Sequence, residues 1–98
     1  QAEAFRNSLS VYPHYIPALR VLGFILTDAG SSEDYNPTEG CQLLEEACNL
    51  LDYRGTPQVT AIVKRLLKVY DESGDREGYM RVLNRAENAG ILRTSPSP

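Results

Sequence analysis

An all-α fold follows from three features of this 98-residue chain. Apolar residues recur at helical spacing, i, i+3, i+4 and i+7, in five successive segments. The strict apolar–polar alternation of a half-buried strand is absent, and Gly and Pro largely punctuate the gaps between the stripes. Small residues stand at packing positions within the stripes, Gly23 and Ala47 among them, and two helices cross closely only where side chains are small.

The first helix is predicted over residues 2–11. Phe5 and Leu9 lie at i, i+4, and the segment stops before Pro13 because the residue preceding a proline is pushed out of helical geometry. A second helix, over 15–29, tolerates Pro17 in its first turn, where the missing amide hydrogen has no helical acceptor. Its packing face is Leu19, Leu22, Gly23 and Leu26, and Gly30 is the expected left-handed stop. The polar stretch 31–36 reads as a surface loop longer than a tight turn requires.

Asn36 is the expected N-cap of a third helix, over 37–51. Leu43, Leu44, Ala47, Leu50 and Leu51 form its stripe, with Glu45 and Glu46 on the other side. A turn over 52–55 follows. Thr56 and Pro57 then supply the cap and first position of the longest helix, 57–73, whose apolar face is Val59, Val63, Leu66, Leu67 and Tyr70. The fifth helix, 75–89, carries Tyr79, Val82, Leu83 and Ala86 and ends at Gly90. One domain over 1–92 is expected, with a loose tail over 93–98.

Composition sets outer limits. With 42% apolar and 23% charged residues the chain has the balance of a folded globular domain. Its net charge of −3 gives no overall positive field to attract a phosphate backbone, so nucleic acid is a disfavoured partner. The apolar run 21–26 falls far short of the ~20 residues a membrane-spanning helix needs, and no membrane insertion is expected. The chain opens on Gln1 in mid-helix pattern without a signal sequence, as expected for a piece of a longer protein. Cys41 and Cys48 lie seven positions apart on one helix, roughly 10 Å, too far for a disulfide. Two buried free thiols suit a reducing compartment, so the expected location is intracellular and cytoplasmic.

Catalytic chemistry finds no footing. His14 is the single histidine, set beside Pro13 in a turn, with no nucleophile and orienting partner in view. Two cysteines and one histidine do not make a four-ligand zinc site. The adjacent carboxylates Glu45-Glu46 and Asp71-Glu72 point about 100° apart on a helix and do not face one another as an acid–base pair would; these and Glu33-Asp34 are read as solvated faces and helix ends. A phosphate-cradling glycine loop followed by Lys-Ser or Lys-Thr is missing. The chain is read as a non-enzyme without cofactor or metal.

Helix pairs with glycine before the turn resemble the tetratricopeptide repeat family, whose unit is 34 residues. Phe5, Ser8 and Pro13 match the large, small and terminal proline positions of a second helix. Leu19, Leu22, Gly23, Leu26 and Gly30 match the first helix of the next unit, and Gly40, Leu44 and Ala47 its second. Tyr70, Gly74, Leu83 and Ala86 match a third unit, with departures at Leu67 and Tyr79, and Asp52 replaces the terminal proline. The resemblance implies a right-handed superhelical stack of antiparallel helix pairs with a curved groove for a partner peptide. The Tyr70, Gly74 and Gly90-Ile91 spacing is also similar to the RNA-reading pentatricopeptide family, with Lys64 and Arg65 standing near its base-reading positions.

The groove that the resemblance implies is lined by the first helix of each pair. Arg20 and Phe24 on the second helix, and Lys64 and Lys68 on the fourth, are each spaced i, i+4 and match groove-facing sites. An apolar anchor ringed by cations suits a peptide or partner protein carrying acidic groups. No Asn occupies the matching positions, so a carboxylate clamp is not expected. The chain is therefore read as a non-catalytic interaction scaffold, also contacted by flanking repeats of the same chain. RNA binding along the fourth helix, or a spacer role within a larger solenoid, are the alternatives.

Overall fold

A computed structural model of the chain describes residues 2–30 and 33–91. It places five α-helices among them, α1 Ala2–Val11, α2 Ile16–Leu26, α3 Pro37–Leu50, α4 Pro57–Ser73 and α5 Arg76–Asn88, and no strand. The expected tail over 93–98, and Ser31 and Ser32 of the 31–36 loop, lie outside the described residues. None of the helices is long and apolar enough to cross a membrane.

Capping chemistry sets most of the boundaries. The side chains of Asn36, Thr56 and Asp75 accept from the amides of Glu39, Val59 and Gly78, each filling one of the free donors of a first turn. Asn36 and Glu39 bond reciprocally, since Asn36 Nδ2 also donates to Glu39 Oε1 at 3.2 Å. Asp75 is thus the cap of α5 and not its first residue. Gly74 and Gly90 both adopt φ +75°, the left-handed geometry of a helix stop, as expected for Gly90.

Helix α2 ends three residues before the predicted boundary of 29, and Gly30 is not its left-handed stop: among the described glycines only Gly74 and Gly90 have positive φ. Two bonds account for the early end. The Asn36 amide takes the Leu26 carbonyl at 2.8 Å, and Thr27 Oγ1 turns back to the Gly23 carbonyl at 2.8 Å. The residue that caps α3 therefore also closes α2.

The turn after α3 holds two consecutive non-glycine residues in left-handed geometry, Asp52 at φ 56° and Tyr53 at φ 49°. Such a conformation costs roughly 1–2 kcal/mol per residue. Burial holds it: Tyr53 is in the core, its amide donates to the Cys48 carbonyl at 2.9 Å, and Arg85 lies 4.5 Å over its ring.

Each helix packs against its neighbours in the chain, α2 on α3 most extensively and α3 on α4 least. The body measures 48 × 26 × 20 Å. At the α2–α3 crossing Gly23 and Gly40 face each other. A Cβ on Gly23 would stand 2.6 Å from Leu44 Cδ2 and 3.2 Å from the Gly40 carbonyl, and one on Gly40 would stand 2.6 Å from Thr27 Cγ2. Gly78 plays the same part in α5, where a Cβ would meet the Tyr70 ring at 2.7 Å.

The buried stripe of α3 is Gly40, Cys41, Leu44, Ala47 and Cys48, a run of i+3 and i+4 steps. Leu50 falls off it and is 41% exposed, contrary to its predicted place, because the two cysteines take the apolar positions instead. In α4 the buried face is Val59, Ile62, Val63, Leu66, Val69 and Tyr70, and Leu67 packs only partly against it.

Candidate functional site

Charge is unevenly written along the helices. Between residues 16 and 26 the only charged side chain is Arg20, and between 57 and 70 all three, Lys64, Arg65 and Lys68, are cationic. Helix α3 carries three glutamates and no Lys or Arg. The structure brings the cationic parts of α2 and α4 together through Arg65. Its guanidinium carbon lies 4.9 Å over the Phe24 ring, and one amino nitrogen, Nη1, donates to Thr27 Oγ1 at 2.9 Å and to the Phe24 carbonyl at 3.3 Å. A cation at the C-terminal end of a helix complements the negative end of its dipole. Arg65 thereby ties α4 to the last turn of α2.

Of the four residues singled out in the sequence, Lys64 and Lys68 are exposed on α4. Arg20 is half-buried, and its Nε is shielded without a hydrogen-bond partner, the one such side-chain atom among the described residues. Phe24 is half-buried and packs against the main core. The cation over its ring is Arg65, a residue the groove pattern passed over, and neither lysine. None of Arg20, Lys64, Arg65 or Lys68 forms a salt bridge among the described residues, whereas Arg6 and Arg81 do.

A second polar cluster lies where α3 meets α4 and α5. Glu45 accepts a short hydrogen bond from the Tyr70 hydroxyl and two from Arg81, Nε at 3.0 Å and Nη2 at 2.8 Å. It forms one wall of a groove of about 460 Å³ that also reaches Thr38, Gln42, Ser73 and Asp75. Both glutamates expected to be solvated are engaged, for Glu46 meets His14 Nδ1 at 2.8 Å. Glu45, Tyr70 and Arg81 are engaged with one another, a clasp between α3, α4 and α5. No group of three or more His, Cys, Asp or Glu side chains stands in a metal-holding arrangement among the described residues.

Two forked Arg–Glu pairs allow a test of that clasp. Glu45 is 15% exposed under Arg81, while Arg6 and Glu39, paired at 2.5 Å, are 44% and 34% exposed. Removing Arg81 strands a nearly buried carboxylate. Arg81→Ala is therefore expected to cost about 1–2 kcal/mol, after allowance for solvent around its exposed guanidinium, and Arg6→Ala below about 1 kcal/mol. Urea melts of the two variants check the order, and equal losses would mean that Glu45 is not held by this pair.

The thiols offer no reactive nucleophile. Burial pushes Cys41 up to about 11 and Cys48 to about 12, with the Glu45 charge adding to both, so the thiolate that would attack or bind metal is scarce at neutral pH. Cys41 and Cys48 are both free. Compared with family models, with curated proteins and with solved structures, the chain finds no match.

Proposed function

We propose that this chain is a non-catalytic interaction scaffold, a right-handed superhelical stack of tetratricopeptide-like helix pairs that docks a partner protein along the face shared by α2 and α4. One observation carries the reading: four cations, Arg20, Lys64, Arg65 and Lys68, occupy two helices joined by the Arg65–Phe24 contact, and no carboxylate pairs with them among the described residues. Unpaired charge of one sign on a protein of net charge −3 steers an oppositely charged partner and sets its orientation. The packing of each helix on its chain neighbours and the glycine crossings support the stack, because in such arrays a repeat buries its stripe only against the next one.

The test is the set of proteins that co-purify with the chain and with Lys64→Glu/Lys68→Glu. Both lysines are exposed, so the variant is expected to fold as before and to lose its specific partners. An unchanged set favours the spacer reading. The same cations also suit RNA, and nuclease separates the two: partner proteins bound directly stay with the chain after RNase treatment, whereas those held through RNA are released.

A further inference from the structure

Arg65 differs from the other cations of this face in being held. Its Nη1 is spent on Thr27 Oγ1 and the Phe24 carbonyl, and its guanidinium carbon lies 4.9 Å over the Phe24 ring. Its Nε and Nη2 make no hydrogen bond among the described residues, and neither is shielded in the way Arg20 Nε is. One edge of the fork is thus fastened to α2, and the other carries two donors that have no acceptor among the described residues and are not fully shielded.

We infer that Arg65 is the specificity-determining residue of the docking face, its open edge receiving one side-chain carboxylate of an acidic segment of a partner protein. This deepens the proposed function and rests on it. A guanidinium presents two parallel N–H donors that match a carboxylate. Most of the rotamer freedom a free arginine loses on binding has already been given up here to the contacts with α2, so less is lost when the ligand arrives. Arg20 lies one helical turn before Phe24 on the same helix, about 6 Å along the axis. Its Nε is shielded and out of a partner's reach, so Arg20 contributes charge to the face and no direct bond through that atom. Lys64 and Lys68, long and exposed, add attraction without direction. Phe24, covered by Arg65 and by the core, is not the anchor, so the partner requires acidic groups and no large apolar one.

The experiment is fluorescence anisotropy with the full chain and a labelled decaglutamate peptide as probe, at one fixed low salt concentration. Arg65→Lys keeps the charge and loses the fork, and is expected to weaken binding about tenfold. Arg76→Lys, exposed on α5 and outside the proposed face, leaves it unchanged, and Lys68→Ala weakens it about two- to threefold. A thermal melt confirms that each variant is folded, and Arg65→Gln provides a second substitution of similar reach. Decaglutamate binding that is equal in the wild type and Arg65→Lys overturns the inference. If that binding is still abolished by Lys64→Glu/Lys68→Glu, the docking face stands and only the anchor falls. Decaglutamate that does not bind, or that binds more weakly than oligouridylate of equal charge, also overturns it, the latter in favour of RNA.

Discussion

Leu44→Ala is expected to lower the unfolding free energy by about 3–5 kcal/mol, the upper part of the range for deleting a buried leucine side chain. Leu44 has no solvent exposure and stands at the α2–α3 crossing, the most extensive helix contact in the protein. Its Cδ2 fills the space a Cβ on Gly23 would claim, 2.6 Å away, so truncation leaves a void that the backbone closes poorly. A domain of this size has only about 5–15 kcal/mol in reserve, so the variant should show a markedly lower midpoint in a urea titration at 25 °C.

Gly23→Ala ordinarily favours a helix by about 0.5–1 kcal/mol, but here the added methyl collides with Leu44 and should cost about 1–3 kcal/mol. Combined, the two changes relieve each other, because the methyl gained by Gly23→Ala enters the space that Leu44 vacates. A coupling of at least about 1 kcal/mol in the favourable sense is expected from the double-mutant cycle. Additive losses would show that Gly23 and Leu44 do not pack as described.

That contact was legible in part. The spacing of Leu19, Leu22, Gly23 and Leu26 marks a packing face, and Gly40, Leu44 and Ala47 mark its counterpart, since apolar and small residues have few other reasons to recur at 3.6. Caps were equally legible, as Asn36, Thr56 and Gly74 act through their own backbone neighbourhood. The α2 terminus was not, because Asn36 closes it from ten residues downstream, a pairing local pattern does not encode. Nor was the left-handed pair Asp52 and Tyr53, which nearby Gly55 disguises as an ordinary turn.

The same limit governs the proposed docking face. Arg20, Phe24, Lys64 and Lys68 stand out by i, i+4 spacing on single helices, and that rule is silent about contacts between helices. Arg65 reaches Phe24 across 41 positions in the chain, and Glu45 meets Arg81 across 36. A usable signal was present for Arg65: of the four cations it alone lies next to the buried Leu66 and one turn before Val69, at the edge of the core stripe. A long cation in that position spreads its stem over apolar surface and ends beside the next helix.

Alkaline pH is expected to unfold the protein through its buried thiols and phenols. Four buried groups hold their protons more tightly folded than unfolded. Burial is the first cause for each, raising Cys41 to about 11, Cys48 to about 12 and Tyr53 to about 12 from ordinary values of 9.0 for the thiols and 10.0 for the phenol. Tyr70 is raised as well, by burial and then by its bond to Glu45. Each is neutral when protonated, so the stability it contributes is fully present below the unfolded value and is lost as pH climbs toward the folded one. The loss is about 1.4 kcal/mol per pH unit for each group. It starts near pH 9 with the thiols and steepens above 10 as the tyrosines join, taking the domain through unfolding at roughly pH 10–11. Circular dichroism across that range, with urea melts at pH 8, 9 and 10, measures the slope. In Cys41→Ala/Cys48→Ala the decline should begin only above about 10, whatever the variant's starting stability, because the two tyrosines alone remain. Identical slopes between pH 9 and 10 in the variant and the parent would place the thiols outside the proton balance and remove the cysteines from the core that holds α3 against α4.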